Sequence, residues 1–144
     1  AEAEVPVSIH AGEIGDLDNI VFALNQESVR RIAHGLGLRH ASPELLAELA
    51  GHRKLIEVCL GSNRALGYAE GNHPVKDWHA AGFPLNFATD DTAIFGTTLQ
   101  QELQAAQVVL GIDQEALQQM QMEAINHTFC SSTTRGLIQR LLED

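Results

Sequence analysis

The feature that most constrains this chain is a fourfold alternation between short apolar runs and amphipathic stretches. The runs are VPVSIH (5–10), RRIAHG (30–35), KLIEVCL (54–60) and FPLNFATD (83–90). Each has the length of a strand and ends in polar or glycine residues. The stretches DLDNIVFALNQ, SPELLAELAGH, HPVKDWHAAG and TTLQQELQAAQVVLG follow them with helical spacing. Ser42 is placed to cap the second helix, with Pro43 at its first helical position. Thr97 or Thr98 can cap the fourth. Two more helices, over 113–129 and 133–143, complete the chain. Strands alternating with helices predict four βα units and a parallel sheet. The opening AEAE carries no motif and is assigned no role.

Composition narrows the partners. Nine basic residues against nineteen acidic ones give a formal charge of −10. Such a chain repels phosphate backbones and anionic lipid, so neither nucleic acid nor a membrane surface is expected as a partner. No apolar run approaches the ~20 residues of a membrane span. Cys59 and Cys130 are the two cysteines. They form no disulfide framework and no cysteine-rich metal motif, which fits a reducing cytoplasm.

The polar residues gather where the apolar runs end. They are His10 and Glu13, then His34, then Ser62 and Asn63, then Asp90 and Asp91. In a (β/α) barrel that end of the strands carries the active site. One polar strand end is ordinary; four in succession suggest a shared site. His10 can ligate a metal through a neutral imidazole nitrogen. Glu13 is a candidate proton donor if apolar surroundings disfavour its charged form. Gly12 lets backbone approach a ligand, or simply permits a turn. His34, before Gly35, can orient a metal-bound water or stabilise developing negative charge. Two adjacent carboxylates at 90 and 91 repel each other unless a cation or a hydrogen-bonding substrate intervenes.

These fragments carry a resemblance. HAGE (10–13), RIAHGLGL (31–38), EVCLGSN (57–63), HPV (73–75) and TDD with FGTTLQQEL (89–103) stand in the order seen in the adenosine deaminase family. The resemblance runs across almost the whole chain. It implies an α/β fold, the C-terminal half of a (β/α)8 barrel with strands five to eight in a single partial domain over 1–144. It also implies zinc-dependent hydrolytic deamination of adenosine or a related 6-aminopurine, giving inosine and ammonia. By resemblance, His10 is a zinc-binding histidine and Glu13 protonates the purine N1. His34 positions the zinc-bound hydroxide, and Asp90 ligates zinc and holds the attacking water. Asp91 resembles the aspartate that hydrogen-bonds the purine at N7, and Gly12 lies near the base. Ser62 and Asn63 match a structural SN pair, and His73 with Pro74 matches a helix start. FGTTLQQEL resembles the nucleoside-acting members more than the base-acting ones.

The chain also departs from the family. The family's first strand carries an H-x-H pair supplying two zinc ligands. The seven histidines here, His10, His34, His40, His52, His73, His79 and His127, include no such pair. CLGSN stands for the family's CPTSN, and ATDDT for NTDDP. His40, His52, His79 and His127 are expected at the surface or in packing, as are Trp78 and Phe83. A half-barrel should expose two strand edges and an apolar inner face. The expected partners are therefore a purine nucleoside or base, and a missing N-terminal half or another subunit. The alternative is a catalytically inactive, deaminase-derived module that binds purine or a protein.

Overall fold

The computed structural model describes residues 5–68 and 71–143, so AEAE lies outside the described residues. Strands β1 (Val7–Ala11), β2 (Val29–His34), β3 (Leu55–Val58) and β4 (Leu85–Phe87) form one sheet. Their spatial order is β1-β2-β3-β4, with every neighbouring pair parallel. Parallel neighbours cannot be joined by a hairpin, so each connection is a helical crossover. These are α1 (Leu17–Leu24), α2 (Pro43–Ala50) after a 3-10 turn (Leu36–His40), and α3 (Leu60–Ala65) with α4 (Val75–Ala80). After β4 come α5 (Thr92–Phe95), α6 (Leu99–Leu110), α7 (Gln114–Ile125) and α8 (Ser132–Glu143).

Local chemistry sets the helix ends. Asp16 caps α1, and Ser42 caps α2 with Pro43 at its first position. Thr98, not Thr97, caps α6, in a reciprocal pair with Gln101. Gly111 ends that helix at a φ of 70°. The third apolar run was expected to reach residue 60. The strand instead stops at Val58, and Leu60 already opens α3. The helix expected over 113–129 ends at Ile125. Beyond it the chain folds back towards the sheet, and the Phe129 ring lies 4.1 Å from the Arg31 guanidinium.

Strand alternation sorts the two faces of the sheet. Ile32, Ile56, Val58, Leu85 and Phe87 are buried in one cluster with Ile20 and Leu24 of α1, Leu46 and Leu49 of α2, and Val75 and Trp78 of α4. The other face departs from the apolar surface expected of a half-barrel. Ser8 donates to Glu57 at 2.8 Å, and Arg31 lies 3.4 Å from the same carboxylate. Period-two alternation explains this, because Ser8 and Glu57 each stand between apolar residues, Val7 and Ile9 or Ile56 and Val58, that take the helical side. Among the described residues, β1 and β4 each have a neighbour on one side only.

Close backbone packing holds the loops after β1 and β2 together. Gly37 donates its N–H to the Gly12 carbonyl at 2.9 Å. A Cβ on Gly37 would stand 2.5 Å from the Asp16 carbonyl oxygen. A Cβ on Gly12 would strike Ile20 at 2.3 Å, and its φ of 69° already disfavours a side chain. Gly37→Ala is therefore expected to cost about 1–3 kcal/mol, as overpacking does. Urea denaturation measures it as a lower midpoint with unchanged slope. A wild-type midpoint would show that the two loops give way freely.

Candidate active site

Strand register brings the site together. Ala11 stands opposite His34 across β1 and β2, and Val58 opposite Phe87 across β3 and β4. The residues just beyond these pairs therefore emerge along one edge of the sheet. The chain turns sharply there. His34 has a φ of 67° and Asp90 a φ of 55°, both left-handed. A side chain in that region costs on the order of 1–3 kcal/mol. The loop and the groups packed beneath it hold both residues in place.

The centre of the cluster is His34, which is 1% exposed. Its Nε2 lies 3.7 Å from Glu13 Oε1 and 3.9 Å from Asp90 Oδ2. His10 stands beside it, with ring centroids 4.9 Å apart, and its Nδ1 lies 3.5 Å from Glu13 Oε2. Glu13 and Asp90 thus meet at the Nε2 side of His34, and His10 stands beside Glu13 at this point of the edge, while His10 and Asp90 share no ligand group within 4.8 Å among the described residues. The His10 and Glu13 side chains are 66% and 41% exposed and the Asp90 side chain 22%, so the point opens to solvent.

Two donor groups interlock on His34. His10, Glu13 and His34 form one, and His34, Cys59 and Asp90 the other, each with ligand atoms within 4.8 Å. Imidazole nitrogens with carboxylate oxygens are a set that zinc accepts. Cys59 stands at the end of an apolar run with no metal motif around it, and only the fold brings it beside His34. Burial, reinforced by Asp90, Glu102, Glu57 and Glu13, pushes its thiol up to about 12. It stays protonated at neutral pH, and a thiol is a far poorer ligand than a thiolate. The group that opens to solvent is the histidine and carboxylate one of His10, Glu13 and His34, whereas Cys59 is buried.

The remaining expected residues behave differently. Gly12 is buried beside Ile20, and both that packing and its left-handed φ require a glycine there. Asp91 is exposed at the start of α5 and makes no capping hydrogen bond through its side chain. Trp78 and Phe83 are buried in packing, as expected. Ser62 and Asn63 lie in the first turn of α3 and are buried. Asn63 reaches further than an SN pair suggested. Its amide lies 3.2 Å from His34 Nδ1 and 2.9 Å from His73 Nε2. Glu102 was also missed, since a carboxylate on an amphipathic helix reads as solvated. It is 2% exposed, accepting from the Gly61 N–H at 3.0 Å and the Thr97 hydroxyl at 2.9 Å. It fastens α6 to the start of α3. A separate cavity of about 550 Å³ lies at the opposite end of the strands, among Pro6, Arg30, Lys54 and His127. None of the clustered residues lines it, so the chemistry is assigned to the His34 edge.

The chain is similar to known deaminases over its whole length. The adenosine deaminase family model matches residues 1–144. An adenosine deaminase of Vibrio parahaemolyticus is 30% identical over 99% of this chain and 43% of its own length. An adenine deaminase of Sinorhizobium fredii is 32% identical over 98% of this chain and 43% of its own. Among solved structures, the apo N6-methyl-AMP deaminase of Arabidopsis thaliana superposes with a TM-score of 0.82 at 25% identity, over 96% of this chain and 40% of that one. An amidohydrolase of Burkholderia ambifaria with bound Zn gives 0.82 at 20% identity, over 96% and 39%. The fold is therefore that of part of these larger barrels. The chain spans about two fifths of the length of the proteins it matches.

His73 makes the site's stability depend on pH. Burial lowers its pKa from 6.5 to about 4. Between those values the unfolded chain holds a proton that the folded chain does not. Stability is thus complete above pH 6.5 and falls as the pH drops towards 4. The interval corresponds to roughly 3 kcal/mol at most. The urea midpoint should drop between pH 7.5 and pH 4.5, and drop less in His73→Gln. Equal drops in the two proteins would remove His73 as the cause.

Proposed function

The chain belongs to the adenosine deaminase family, and we propose that it supplies part of the active site of a hydrolytic 6-aminopurine deaminase. The observation that carries this reading is the gathering of Glu13, His10 and Asp90 around buried His34. Matches to deaminases of adenosine, adenine and N6-methyl-AMP support the shared chemistry at C6 and leave the rest of the substrate open. Adenosine is the first substrate we assign, on the nucleoside-like FGTTLQQEL segment.

The reaction replaces an amino group by oxygen. Water adds to C6, the C6–N bond breaks and ammonia leaves. One water proton ends on N1 and the other on the leaving nitrogen. Glu13 gives N1 its proton. Asp90 holds the attacking water on the C6 side, and His34 fixes its orientation. Asp91 accepts a hydrogen bond at N7, and the backbone at Gly12 lies under the base. His10 and Asp90 would hold zinc, which fits their nitrogen and oxygen donors. When bound, zinc supplies the Lewis acidity that makes water a nucleophile near neutral pH.

Two ligands from one histidine and one aspartate do not complete a four-coordinate site. We therefore propose that residues 1–144 form strands five to eight of a barrel. An N-terminal half, or another subunit, would contribute the H-x-H pair and close the sheet on β1 and β4. The working compartment we assign is the cytoplasm, and no helix among the described residues is long and apolar enough to cross a membrane.

Two assays test this. The isolated chain should show little or no ammonia release from adenosine, with zinc or with chelator. The completed, zinc-loaded protein should deaminate at least one aminopurine, and Glu13→Gln should lower its kcat by about 10²–10⁴, the usual worth of a placed proton donor. Failure of the completed protein on adenosine, adenine and their N6-methyl forms would sink the reading.

A further inference from the structure

Counting the protons of one buried hydrogen-bond chain assigns a role to two residues outside the catalytic set. The chain runs from the Val75 N–H to His73, then Asn63, then His34. Val75 donates its backbone N–H to His73 Nδ1 at 3.1 Å. An N–H can only be accepted by a nitrogen that bears a lone pair, so Nδ1 carries no proton. A neutral imidazole has one protonated nitrogen, which must then be Nε2. His73 is 5% exposed, and its pKa of about 4 keeps it neutral at physiological pH.

His73 Nε2 is therefore a donor, and the Asn63 atom 2.9 Å away must accept. As placed, that atom is the amide nitrogen Nδ2, with Oδ1 turned to His34. That orientation sets an N–H group against an N–H group. Turning the amide by 180° exchanges two atoms of nearly equal size and removes the conflict. The oxygen then accepts from His73, and the NH2 group faces His34 Nδ1 at 3.2 Å. All three side chains are 5% exposed or less, so water offers no easy substitute for these bonds.

We propose that Asn63 and His73 are positioning residues that hold His34 in the tautomer protonated on Nε2. His34 then turns an N–H donor, and no lone pair, towards Glu13 and Asp90. This rests on the deaminase reading for its consequence in catalysis. A donor at that point can hold the attacking oxygen and stabilise its developing charge, but it cannot take the water's proton. The proton is left to a carboxylate, and Asp90 is the one on that side. The tautomer itself follows from the hydrogen-bond chain whatever the reaction is.

The test is the two-bond 1H–15N correlation spectrum of the 15N-labelled full chain at pH 7.5, assigned by replacing histidines singly. His34 and His73 should both show a pyrrole-type Nε2 and a pyridine-type Nδ1. In Asn63→Asp the carboxylate can still accept from His73 but cannot donate to His34. His34 Nδ1 should then shift to the pyrrole-type end of the range while His73 keeps its pattern. A protonated His34 Nδ1 in the wild type, or an unshifted Nδ1 in Asn63→Asp, would overturn the proposal. The wild-type spectrum decides alone if Asn63→Asp does not fold. Absence of deamination by the completed protein would overturn the reaction and leave this assignment standing.

Discussion

Parallel pairing is the constraint from which the rest of this structure follows. Because each strand must be re-entered from the same end, the chain crosses over a helix after β1, β2 and β3. Every strand then finishes at the same edge of the sheet. Residues 24 and 56 positions apart in sequence, such as His10, His34 and Asp90, become neighbours without any special interaction to draw them together. The left-handed turns at His34 and Asp90 are the local cost. They aim side chains across the edge instead of along it. Burial of Ile20, Leu24, Trp78 and the strand residues provides the energy that sustains such turns.

Beneath that edge the polar groups divide into two kinds. Asn63, His73 and Glu102 are buried and have hydrogen-bond partners, and they serve other residues rather than a ligand. An unsatisfied polar atom at such depth would cost on the order of 1–3 kcal/mol, so these bonds fix one arrangement and penalise others. His10 and Glu13 are exposed and bond only to each other and to His34 among the described residues. The floor of the site is thus buried and fully hydrogen-bonded, and its rim is open to solvent. The contrast explains why His34 can have a defined tautomer while the rim waits for further cover.

Much of this could be read from the sequence. The alternation of apolar runs and amphipathic stretches gave four strands in their right places, because strand pairing and helix packing impose different periods. The cluster of His10, Glu13, His34 and Asp90 was legible because strand ends share an edge in any parallel sheet. Asn63 and Cys59 were less so. CLGSN looks like the tail of a strand, yet the chain enters α3 at Leu60, and that early turn carries Asn63 inward. His73 read as a helix start, which it is, but its contact with Asn63 depends on how α3 and α4 meet. Glu102 sits on an amphipathic helix where a carboxylate reads as solvated, and only the packing of α6 against α3 reveals it as buried. Tertiary contacts between elements, unlike their periods, leave no pattern in a single sequence. The polar inner face is legible in two of the runs, where Ser8 and Glu57 each stand between apolar neighbours.

The exposure of the four central side chains bears on what the site lacks. His34 needs nothing more, since it is already buried with Asn63 of α3 against its Nδ1. His10 lies on the face that Ser8 and Glu57 share, with Glu13 beside it at the edge, and that face has no second layer of strands among the described residues. Charges on a solvated face interact weakly, because water screens them. A carboxyl group becomes a strong proton donor at neutral pH when apolar surroundings replace that water. Covering this face would therefore do two things at once. It would add ligands opposite His10, and it would dry the surroundings of Glu13. A partner that supplied only metal ligands, leaving the face wet, would restore binding of the ion without restoring the acid.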